Sequence, residues 1–446
     1  MQYLELAKLA VDKAKQMGAH AAEAYVLDAK SLQIITSKDQ VESLKLSEDA
    51  GIGIRVISPE GRVGFAYSTE IDASQLQATV SQAINNGENT FADKFNVLPS
   101  RGEIDQQLAV VDPSIHATKV EDKIELAKQV ERSAKAASKY VKRAERCGYE
   151  DAEYQVTLVN SNELAVQYRS GYCGLFGLVL AEDNADIQTG VAVKYSRKFC
   201  DLIPETIGQE AAENAAQLLG AKNIGTTKAA VLLSPYVATS FFSVLIPALS
   251  ADAVHKGRSL FKGKLENKVM SPLISLVDDG LLAGGISTAP IDGEGVAAKR
   301  TELISEGVLK SYLYNSYTAA KDNVPSTGNG VRSSFKGVPE IGPTNMFIAA
   351  GTTPKDKLVQ EVQDGFYVTN VMGMHTANSI TGDFSVGASG VWIKNGAFTH
   401  AVRGVAIAGN LMELLGEVDG VGNDLRFFGS NGAPTIRFSR ITISGS

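Results

Sequence analysis

The feature that most constrains the fold of this chain is a repeated order of segments in its first half. An amphipathic helix at residues 3–17 is followed by strand-like sequence, by the hairpin GIGIRVISPEGRVGFAYS and by the helical segment DASQLQATVSQAINNG. The same order returns about 120–130 residues later, with a helix at 116–140, further strand-like sequence, a second hairpin and the helical segment PETIGQEAAENAAQLLG. The repeat predicts two related units, each with helices packed on a sheet.

Short local matches accompany the repeated order. Ala22-Glu23 is echoed by Ala152-Glu153, and the glycines of the first hairpin are echoed by Gly171 and Gly174. Identity between the two halves is low, so the alternative is a chance similarity of two α+β segments. We interpret the repeat as an architectural duplication, because a whole order of elements is harder to match by accident than one motif.

The composition changes near residue 222. The remaining sequence is rich in glycine and in short apolar runs separated by turn signals such as Glu306-Gly307 and Asn395-Gly396. It predicts a mostly antiparallel sheet or sandwich with a few helices, at 236–250, 317–321 and 408–416. The predicted class is therefore α+β, with two duplicated helix-on-sheet units followed by a mostly antiparallel β domain. The predicted domains span residues 1–100, 113–222 and 226–446.

Composition and charge exclude several classes of partner. The formal charge is −7 with a pI near 5.5, and no block of Lys and Arg offsets it, so direct nucleic-acid binding is not expected. No apolar run approaches the roughly 18 residues of a membrane span, and Glu5 and Lys8 interrupt any secretory signal at the N-terminus. Three widely spaced cysteines fit buried, reduced thiols. These features predict a cytoplasmic protein without a membrane partner.

Local motifs for metal or nucleotide chemistry are missing. The five histidines form no HExxH, and the sequence contains no CxxC, Walker or GxGxxG motif. Ser333 and Lys336 match SxxK, but they lie in a Gly/Ser-rich loop where the lysine would not be held beside the serine. A metal site assembled from distant His375, His400 and an acidic residue stays open as an alternative.

Two loops carry denser polar sequence. The first, at 275–295, gathers acidic residues among glycines, including Asp292 and Glu294; these could bind a cation or a peptide amine, or could only form tight turns. The second, at 371–390, contains His375, Asn378 and Asp383. These three could supply acid–base chemistry or peptide contacts, or could only cap a turn between strands.

One strand-to-helix turn has the form VLLSPYVATSFF, at residues 231–242. Ser234 is a favoured helix N-cap and Pro235 suits the first helical position. Val237, Phe241 and the apolar residues after them form a stripe at helical spacing. Taken alone, the segment predicts a well-capped core helix without a group that ionises near neutral pH.

Several longer segments together resemble the TldD/PmbA family over essentially the whole chain. They are the GIGIRV hairpin, GRSLFKGKLENKV, VDDGLLAGG, IDGEGVAAKR, LISEGVLKSYLYNSYTA, STGNG, PTN, TGDFSVGASGVWIKNG, VGNDLRF and GAPTIRF. The resemblance implies one of two roles. In the TldD branch, HExxxH at the start of a helix after a VLL-type strand and a cysteine near the C-terminus bind zinc for peptidase activity. The PmbA branch, also called TldE, lacks these ligands and is the partner subunit of a heterodimer that digests small or unfolded peptides.

Aligned by the strand, the HExxxH positions of this chain hold Ser234, Pro235 and Thr239, and RFFGSNGAP near the C-terminus contains no cysteine. The resemblance therefore implies a PmbA-like subunit without a catalytic residue, metal or cofactor of its own, with zinc only in a TldD-like partner. We expect a heterodimer with that partner, or a homodimer, acting on peptides. Two alternatives stay open: a metal-dependent peptidase in its own right, and a regulatory protein-binding factor of the gyrase-modulator type.

Overall fold

The computed structural model describes residues 2–445 except 101, 103, 105–107, 109 and 110. Two groups of elements form the first half. The first unit contains α1 (Gln2–Gln16), β1 (Ala21–Ser37), β2 (Gln40–Ile57), β3 (Val63–Ser68) and α2 (Ala73–Glu88). The second unit contains α3 (Pro113–Ala117), α4 (Val120–Ala137), β4 (Val141–Asn160), β5 (Ala165–Asp183), β6 (Asp186–Ser196) and α5 (Pro204–Ala216).

The two units share one antiparallel sheet of six strands. Its order is β3-β2-β1-β4-β5-β6, so β1 and β4 meet at the centre and β3 and β6 form the edges. Leu27 faces Gly51 in the first hairpin and Glu150 faces Gly174 in the second, a shift of 123 residues at both positions. The predicted repeat is confirmed as a structural repeat. The echo of Ala22 in Ala152 does not follow this register: Val56, the partner of Ala22, corresponds to Val179, and Val179 pairs with Ala144.

All four long helices cover the same face of this sheet. Ala24, Val26 and Ile54 pack under α1 and α2, while Ile34 and Tyr149 pack with α4 and α5. Each unit also contains one very close approach of helix to strand. A Cβ on Gly64 would overlap the Ala83 carbonyl of α2, and a Cβ on Gly190 would overlap the Ala211 carbonyl of α5. Only glycine allows the helices to pack at these two places.

The C-terminal domain, residues 226–445, is rich in short strands. Its strands are β7 (Thr227–Leu233), β8 (Leu276–Asp279), β9 (Arg300–Ser305), β10 (Val308–Leu309), β11 (Gly330–Val331), β12 (Glu340–Ile341), β13 (Met346–Ile348), β14 (Asp364–Met372), β15 (Asp383–Lys394), β16 (Ala397–Asn410), β17 (Val418–Val421), β18 (Arg426–Phe428), β19 (Asn431–Ala433) and β20 (Ile436–Ser444). Its helices are α6 (Pro235–Ser243), α7 (Ala251–His255), α8 (Ser316–Asp322), α9 (Lys355–Gln360) and α10 (Leu411–Gly416).

Two six-stranded sheets organise this domain. One has the order β16-β15-β14-β7-β20-β17, and a further pairing of β16 with β20 closes five of its strands into a ring. The other has the order β10-β9-β8-β13-β19-β18, which leaves β18 at an edge. Most pairings are antiparallel; β7–β14 and β13–β19 are parallel. The predicted α+β class with a mostly antiparallel β domain is confirmed.

Helix α6 lies where these two sheets meet. It contacts β7 and β14 of one sheet and β18 and β19 of the other. Val237 and Phe241 are buried in the main core of the domain, and the Phe241 ring packs edge-on against Phe384 at 5.2 Å. The apolar stripe that the sequence predicted for this helix therefore faces the core. The predicted span 236–250 is too long, because α6 ends at Ser243 and a 3₁₀ turn around Pro247 follows.

Two smaller expectations also differ from the structure. The helix expected at 408–416 begins only at Leu411, because β16 continues to Asn410, and the short helix α9 was not predicted. Cys147 and Cys173 are buried, and burial raises the pKa of both thiols to about 12, but Cys200 is exposed. None of the helices in the described part of the chain combines the length and apolar composition that a membrane crossing needs.

Candidate functional site

The strand-to-helix turn after β7 has the local structure that its sequence predicts. Ser234 is the N-cap of α6, and its Oγ accepts a hydrogen bond from Val237 N at 3.4 Å. Pro235 occupies the first helical position, where its missing N–H costs no hydrogen bond. One turn later, Thr239 Oγ1 donates to the Pro235 carbonyl at 2.8 Å. Both hydroxyl groups are therefore engaged by the helix backbone.

These three positions do not fit a zinc site. Zinc in proteins binds Cys, His and carboxylate ligands, and neutral Ser and Thr hydroxyls are poor substitutes. Pro235 has no group that could accept a proton from water, which is the task of the glutamate in a zinc peptidase helix. No three His, Cys, Asp or Glu side chains converge on a possible metal position anywhere in the described residues. Ser234, Pro235 and Thr239 therefore supply no zinc ligand at the start of α6.

A cavity of about 530 Å³ opens at the start of α6. This volume lies within the roughly 300–1,000 Å³ of small-ligand pockets. One wall comes from the C-terminal domain and consists of Ser234, Pro235, Tyr236, Lys355, Tyr367, Thr369, Asn370, Asp424, Arg426 and Phe428. The opposite wall comes from β6, α5 and the turn after it, with residues 189–193, Glu210, Glu213, Asn214, Gln217 and Leu218.

Aromatic rings and paired charges line the C-terminal wall. The rings of Tyr236 and Phe428 meet edge to face at 5.2 Å, and the guanidinium of Arg426 lies 5.1 Å from the centre of the Phe428 ring. Lys355 Nζ lies 5.0 Å from the centre of the Tyr367 ring, and burial raises the pKa of the Tyr367 hydroxyl. A β-bulge in β14 follows Val368, at the point where the strand borders the cavity. The wall combines aromatic rings with charged and polar groups.

An ion pair joins the two walls. Arg426 Nη2 lies 2.7 Å from Glu210 Oε2, and Arg426 Nη1 contacts the other carboxylate oxygen, so the pairing is bidentate. Glu210 belongs to α5 of the second unit, whereas Arg426 begins β18. The pair therefore bridges the N-terminal half and the C-terminal domain across one side of the cavity.

The cavity also separates two sheet edges, β6 and β18. Val191 O accepts a hydrogen bond from Asn214 Nδ2 at 2.9 Å, and Val193 O accepts one from Arg426 Nη2 at 3.5 Å. These carbonyls point away from β5, and in an antiparallel pair the N–H and C=O of one residue point to the same side. The backbone of Val191 and Val193 is consequently directed toward the cavity rather than into the sheet.

His375 and Asn378 lie in the loop between β14 and β15, Asp383 is the first residue of β15, and all three lie outside the cavity lining. Asn378 Oδ1 accepts from the backbone N–H groups of Ile380 at 2.8 Å and Thr381 at 3.1 Å. Asp383 accepts from Asn410 Nδ2 at 3.0 Å and from the Thr381 hydroxyl at 2.8 Å, and these bonds lower the pKa of its carboxyl. His375 is exposed in a 3₁₀ turn.

Asp292 and Glu294 are buried between the N-terminal sheet and the C-terminal domain. Asp292 accepts three backbone N–H groups, and Glu294 contacts Arg55 of β2. Nearby, Asp278 accepts from Asn329 Nδ2 and from Thr344, and burial raises the pKa of its carboxyl. The loop at 275–295 is thus a buried polar junction between domains. Peptide contact at the five candidate positions stays a prediction.

The cavity contains residues that the sequence did not single out. Tyr236 follows Ser234-Pro235 directly, and Asp424 and Arg426 lie in VGNDLRF, which was noted only as a segment of the family resemblance. Lys355 and Glu210 carried no sequence signal. They become neighbours only because α5, α6, α9 and the segment that leads into β18 converge from distant parts of the chain.

Comparison with known proteins agrees with this architecture. Family models match the chain over three successive ranges: PmbA/TldA metallopeptidase domain 1 at 22–87, the central domain at 113–219 and the C-terminal domain at 226–445. The chain belongs to the PmbA/TldD family. It is 29% identical over 415 residues to the metalloprotease PmbA of Escherichia coli O157:H7, covering 91% of this chain and 88% of that protein.

Solved structures of family members have the same fold. A Thermotoga maritima protein described as a candidate modulator of a DNA gyrase superposes with a TM-score of 0.91 at 28% identity, over 99% of both chains. TldE from Thermococcus kodakarensis superposes with a TM-score of 0.90 at 20% identity, over 99% of this chain and all of that one. At 20% identity, the similarity to TldE shows a shared fold and nothing more.

Proposed function

We propose that this member of the PmbA/TldD family is a cytoplasmic, non-catalytic subunit that pairs with a TldD-like zinc peptidase. The observation that carries the proposal is the start of α6. There the hydroxyls of Ser234 and Thr239 are bound to the helix backbone and Pro235 replaces the general base, so the turn can neither bind zinc nor activate water. The chain keeps the whole fold of the family around this turn and leaves the chemistry to its partner.

We further propose that the cavity beside α6 binds an extended stretch of peptide. Support comes from the two sheet edges that border it, because an exposed edge binds peptide through backbone hydrogen bonds without requiring a particular sequence. Val191 and Val193 direct backbone groups into the cavity, and Tyr236 and Phe428 offer apolar contacts for side chains. Such a site suits a subunit that helps to hold unfolded or short peptides for the zinc subunit.

The role as a partner is tested by comparing the lone chain with its complex with a TldD-like homologue. The chain is purified alone and also together with an HExxxH homologue from the same source, and zinc content and casein hydrolysis are measured for both. We expect a stable complex, with one zinc per heterodimer and hydrolysis only in the complex. Stoichiometric zinc and casein hydrolysis by the lone chain would instead show a peptidase in its own right, with His375 and scattered carboxylates as the residues to examine.

The peptide site is tested with a proline at the strand edge. Val191→Pro removes an outward N–H of β6, where an edge strand tolerates proline, and Val191→Ala is the matched control because it keeps that N–H. We expect only the proline variant to weaken the binding of a fluorescein-labelled unstructured peptide. The dissociation constant should rise by up to about tenfold, the value of one backbone hydrogen bond. Equal affinities for both variants, measured by anisotropy, would remove β6 from the binding site.

A regulatory role is the second candidate, because the similar Thermotoga maritima protein is described as a candidate modulator of a DNA gyrase. Such a role would act through protein contacts, since the net charge of −7 opposes direct DNA binding. A gel shift of DNA at physiological ionic strength that weakens with added salt would favour this role. Its absence, together with peptidase activity of the complex, would favour the proposed subunit.

A further inference from the structure

The edge strand β6 presents residues 189–193 to the cavity beside α6. In the described part of the chain the strand order of the N-terminal sheet ends at β6, so no further strand covers this edge. Val191 and Val193 direct their backbone groups outward, and the alternation of a strand directs those of Thr189 the same way. At about 3.4 Å per residue, the open edge is about 14 Å long, which suits a short extended segment.

Side chains already occupy two carbonyl groups of this edge. Val191 O accepts from Asn214 Nδ2 at 2.9 Å, and Val193 O accepts from Arg426 Nη2 at 3.5 Å. The Asn214 side chain belongs to α5, and its amide N–H has the same chemistry as a backbone N–H. Asn214 therefore uses the acceptor that the N–H of an added strand would use. Covering an exposed edge is one way in which proteins prevent uncontrolled strand pairing.

The outward N–H groups of the edge are in a different state from these carbonyls. None of the hydrogen bonds in the described part of the chain uses the N–H of Val191 or Val193 outside the sheet. In an antiparallel pair, two residues that face each other through hydrogen bonds exchange both an N–H and a C=O. A peptide residue opposite Val191 can make the first of these bonds at once, but the second only after Asn214 has left.

The two side chains on the edge are held with different firmness. Arg426 is fixed by its bidentate pair with Glu210, with Nη2 at 2.7 Å from Oε2, so its guanidinium cannot leave without breaking an ion pair between the walls. Asn214 has one further hydrogen bond, from Gln217 Nε2 to its Oδ1 at 3.2 Å, and it is only half-buried. Asn214 is consequently the movable side chain, and Arg426 marks a fixed end of the open edge near Val193.

We propose that Asn214 guards the β6 edge, a role that rests on the peptide site proposed above: its amide closes Val191 O in the absence of peptide and yields this acceptor to the backbone N–H of a bound extended peptide. The exchange replaces one amide hydrogen bond by another of the same kind. The guard therefore lowers peptide affinity only by the ratio of its closed to its open state. One hydrogen bond of this type corresponds to a ratio of about two to ten.

The test titrates a fluorescein-labelled, unstructured peptide without charged side chains with the full-length chain, and follows its anisotropy. Asn214→Ala removes the donor, so no bond to Val191 O has to break before the peptide pairs. We expect the dissociation constant to fall by about two- to tenfold. Gln209→Ala is the matched control, because Gln209 is an exposed amide on the same helix that donates to Glu213 at 2.8 Å; it should leave the dissociation constant unchanged.

Stopped-flow kinetics distinguish a guard from a residue that contacts the bound peptide. Side-chain rotation takes picoseconds to nanoseconds, so Asn214 opens and closes many times before a peptide arrives. Its removal should raise the association rate constant and leave the dissociation rate constant unchanged. Asn214→Asp is a second variant: it keeps the shape of the side chain but cannot donate to Val191 O, so it should act like alanine. A gain confined to the dissociation rate constant would overturn the proposal.

Val191→Pro distinguishes failure of the guard from failure of the peptide site. Tighter binding in both Asn214 variants together with weaker binding in Val191→Pro is the expected result. If the proline variant binds more weakly but the Asn214 variants bind like the wild type, the guard is refuted and the peptide site stands. If none of these substitutions changes the dissociation constant, the peptide does not pair with β6 and both proposals fail.

Discussion

Replacing Ser234 by alanine separates a structural role for this residue from a chemical one. In the structure, Ser234 ends β7 and caps α6 by accepting the N–H of Val237 at 3.4 Å. If the residue only caps the helix, Ser234→Ala lowers the stability of the chain and leaves the peptidase activity of the proposed complex unchanged. If the residue takes part in chemistry, activity falls instead.

The size of the stability loss follows from two opposing facts. Val237 is fully buried, so the variant leaves its N–H without an acceptor, and an unsatisfied buried donor costs about 1–3 kcal/mol. The bond is longer than the usual 2.7–3.2 Å of such hydrogen bonds, which places it at the weak end, about 1 kcal/mol within the range of about 0.5–2 kcal/mol for lost caps. This free energy corresponds to a roughly fivefold smaller folding constant.

The measurement is urea unfolding followed by circular dichroism, together with casein hydrolysis by the complex. Ser240→Ala is the matched control, since Ser240 lies on the same helix, is half-buried, and donates its hydroxyl hydrogen bond to the Tyr236 carbonyl rather than capping the helix. We expect no stability loss in the control, because alanine is the better helix former. A tenfold fall in activity of Ser234→Ala without a change in its unfolding midpoint would refute the assignment of Ser234 as a cap.

Two further substitutions test the packing that positions the domains. Phe335→Ala should lower the free energy of unfolding in urea by about 3–5 kcal/mol, because the ring is fully buried against β2. Lys336→Ala should lower it by less than about 1 kcal/mol, because its ion pair with Asp49 is exposed. Equal losses would contradict the inference that Phe335 holds the loop between β11 and β12 on β2. Gly190→Val should prevent accumulation of folded chain, since the side chain would overlap the Ala211 carbonyl, whereas Gly225→Ala has open space and should give a normal monodisperse yield by gel filtration.

Features encoded by local sequence could be predicted from the sequence. The duplication was visible because each unit must repeat the same order of amphipathic helix, hairpin and helix to bury one face of a sheet. The start of α6 was visible because an N-cap serine and a first-turn proline act over three residues. The residue-by-residue equivalence of the two repeats could not be predicted from the sequence, because the register is set by pairing between strands. The pairs Leu27–Gly51 and Glu150–Gly174 define this register.

The cavity depends on long-range neighbours that have no local pattern. Glu210 meets Arg426 across more than two hundred residues of sequence, and Val191 borders the same space because β6 is the edge strand of its sheet. The acidic loop at 275–295 was ambiguous for a similar reason. Carboxylates among glycines are compatible with a ligand site or with turns, and only the burial of Asp292 beside Gly330 N shows that the backbone of a distant strand occupies one oxygen.

Three of the segments that carry the family resemblance meet at one structural position, the junction between the N-terminal sheet and the C-terminal domain, far from the start of α6 in the sequence. VDDG provides Asp278, IDGEG provides Asp292 and Glu294, and STGNG provides Asn329; these side chains hydrogen-bond to one another's loops at the junction between the N-terminal sheet and the C-terminal domain. Loss of these side chains would destabilise the junction, since buried polar groups without partners are costly. The proposed partner role therefore requires the junction, whereas nothing in the described part of the fold requires zinc ligands at the start of α6.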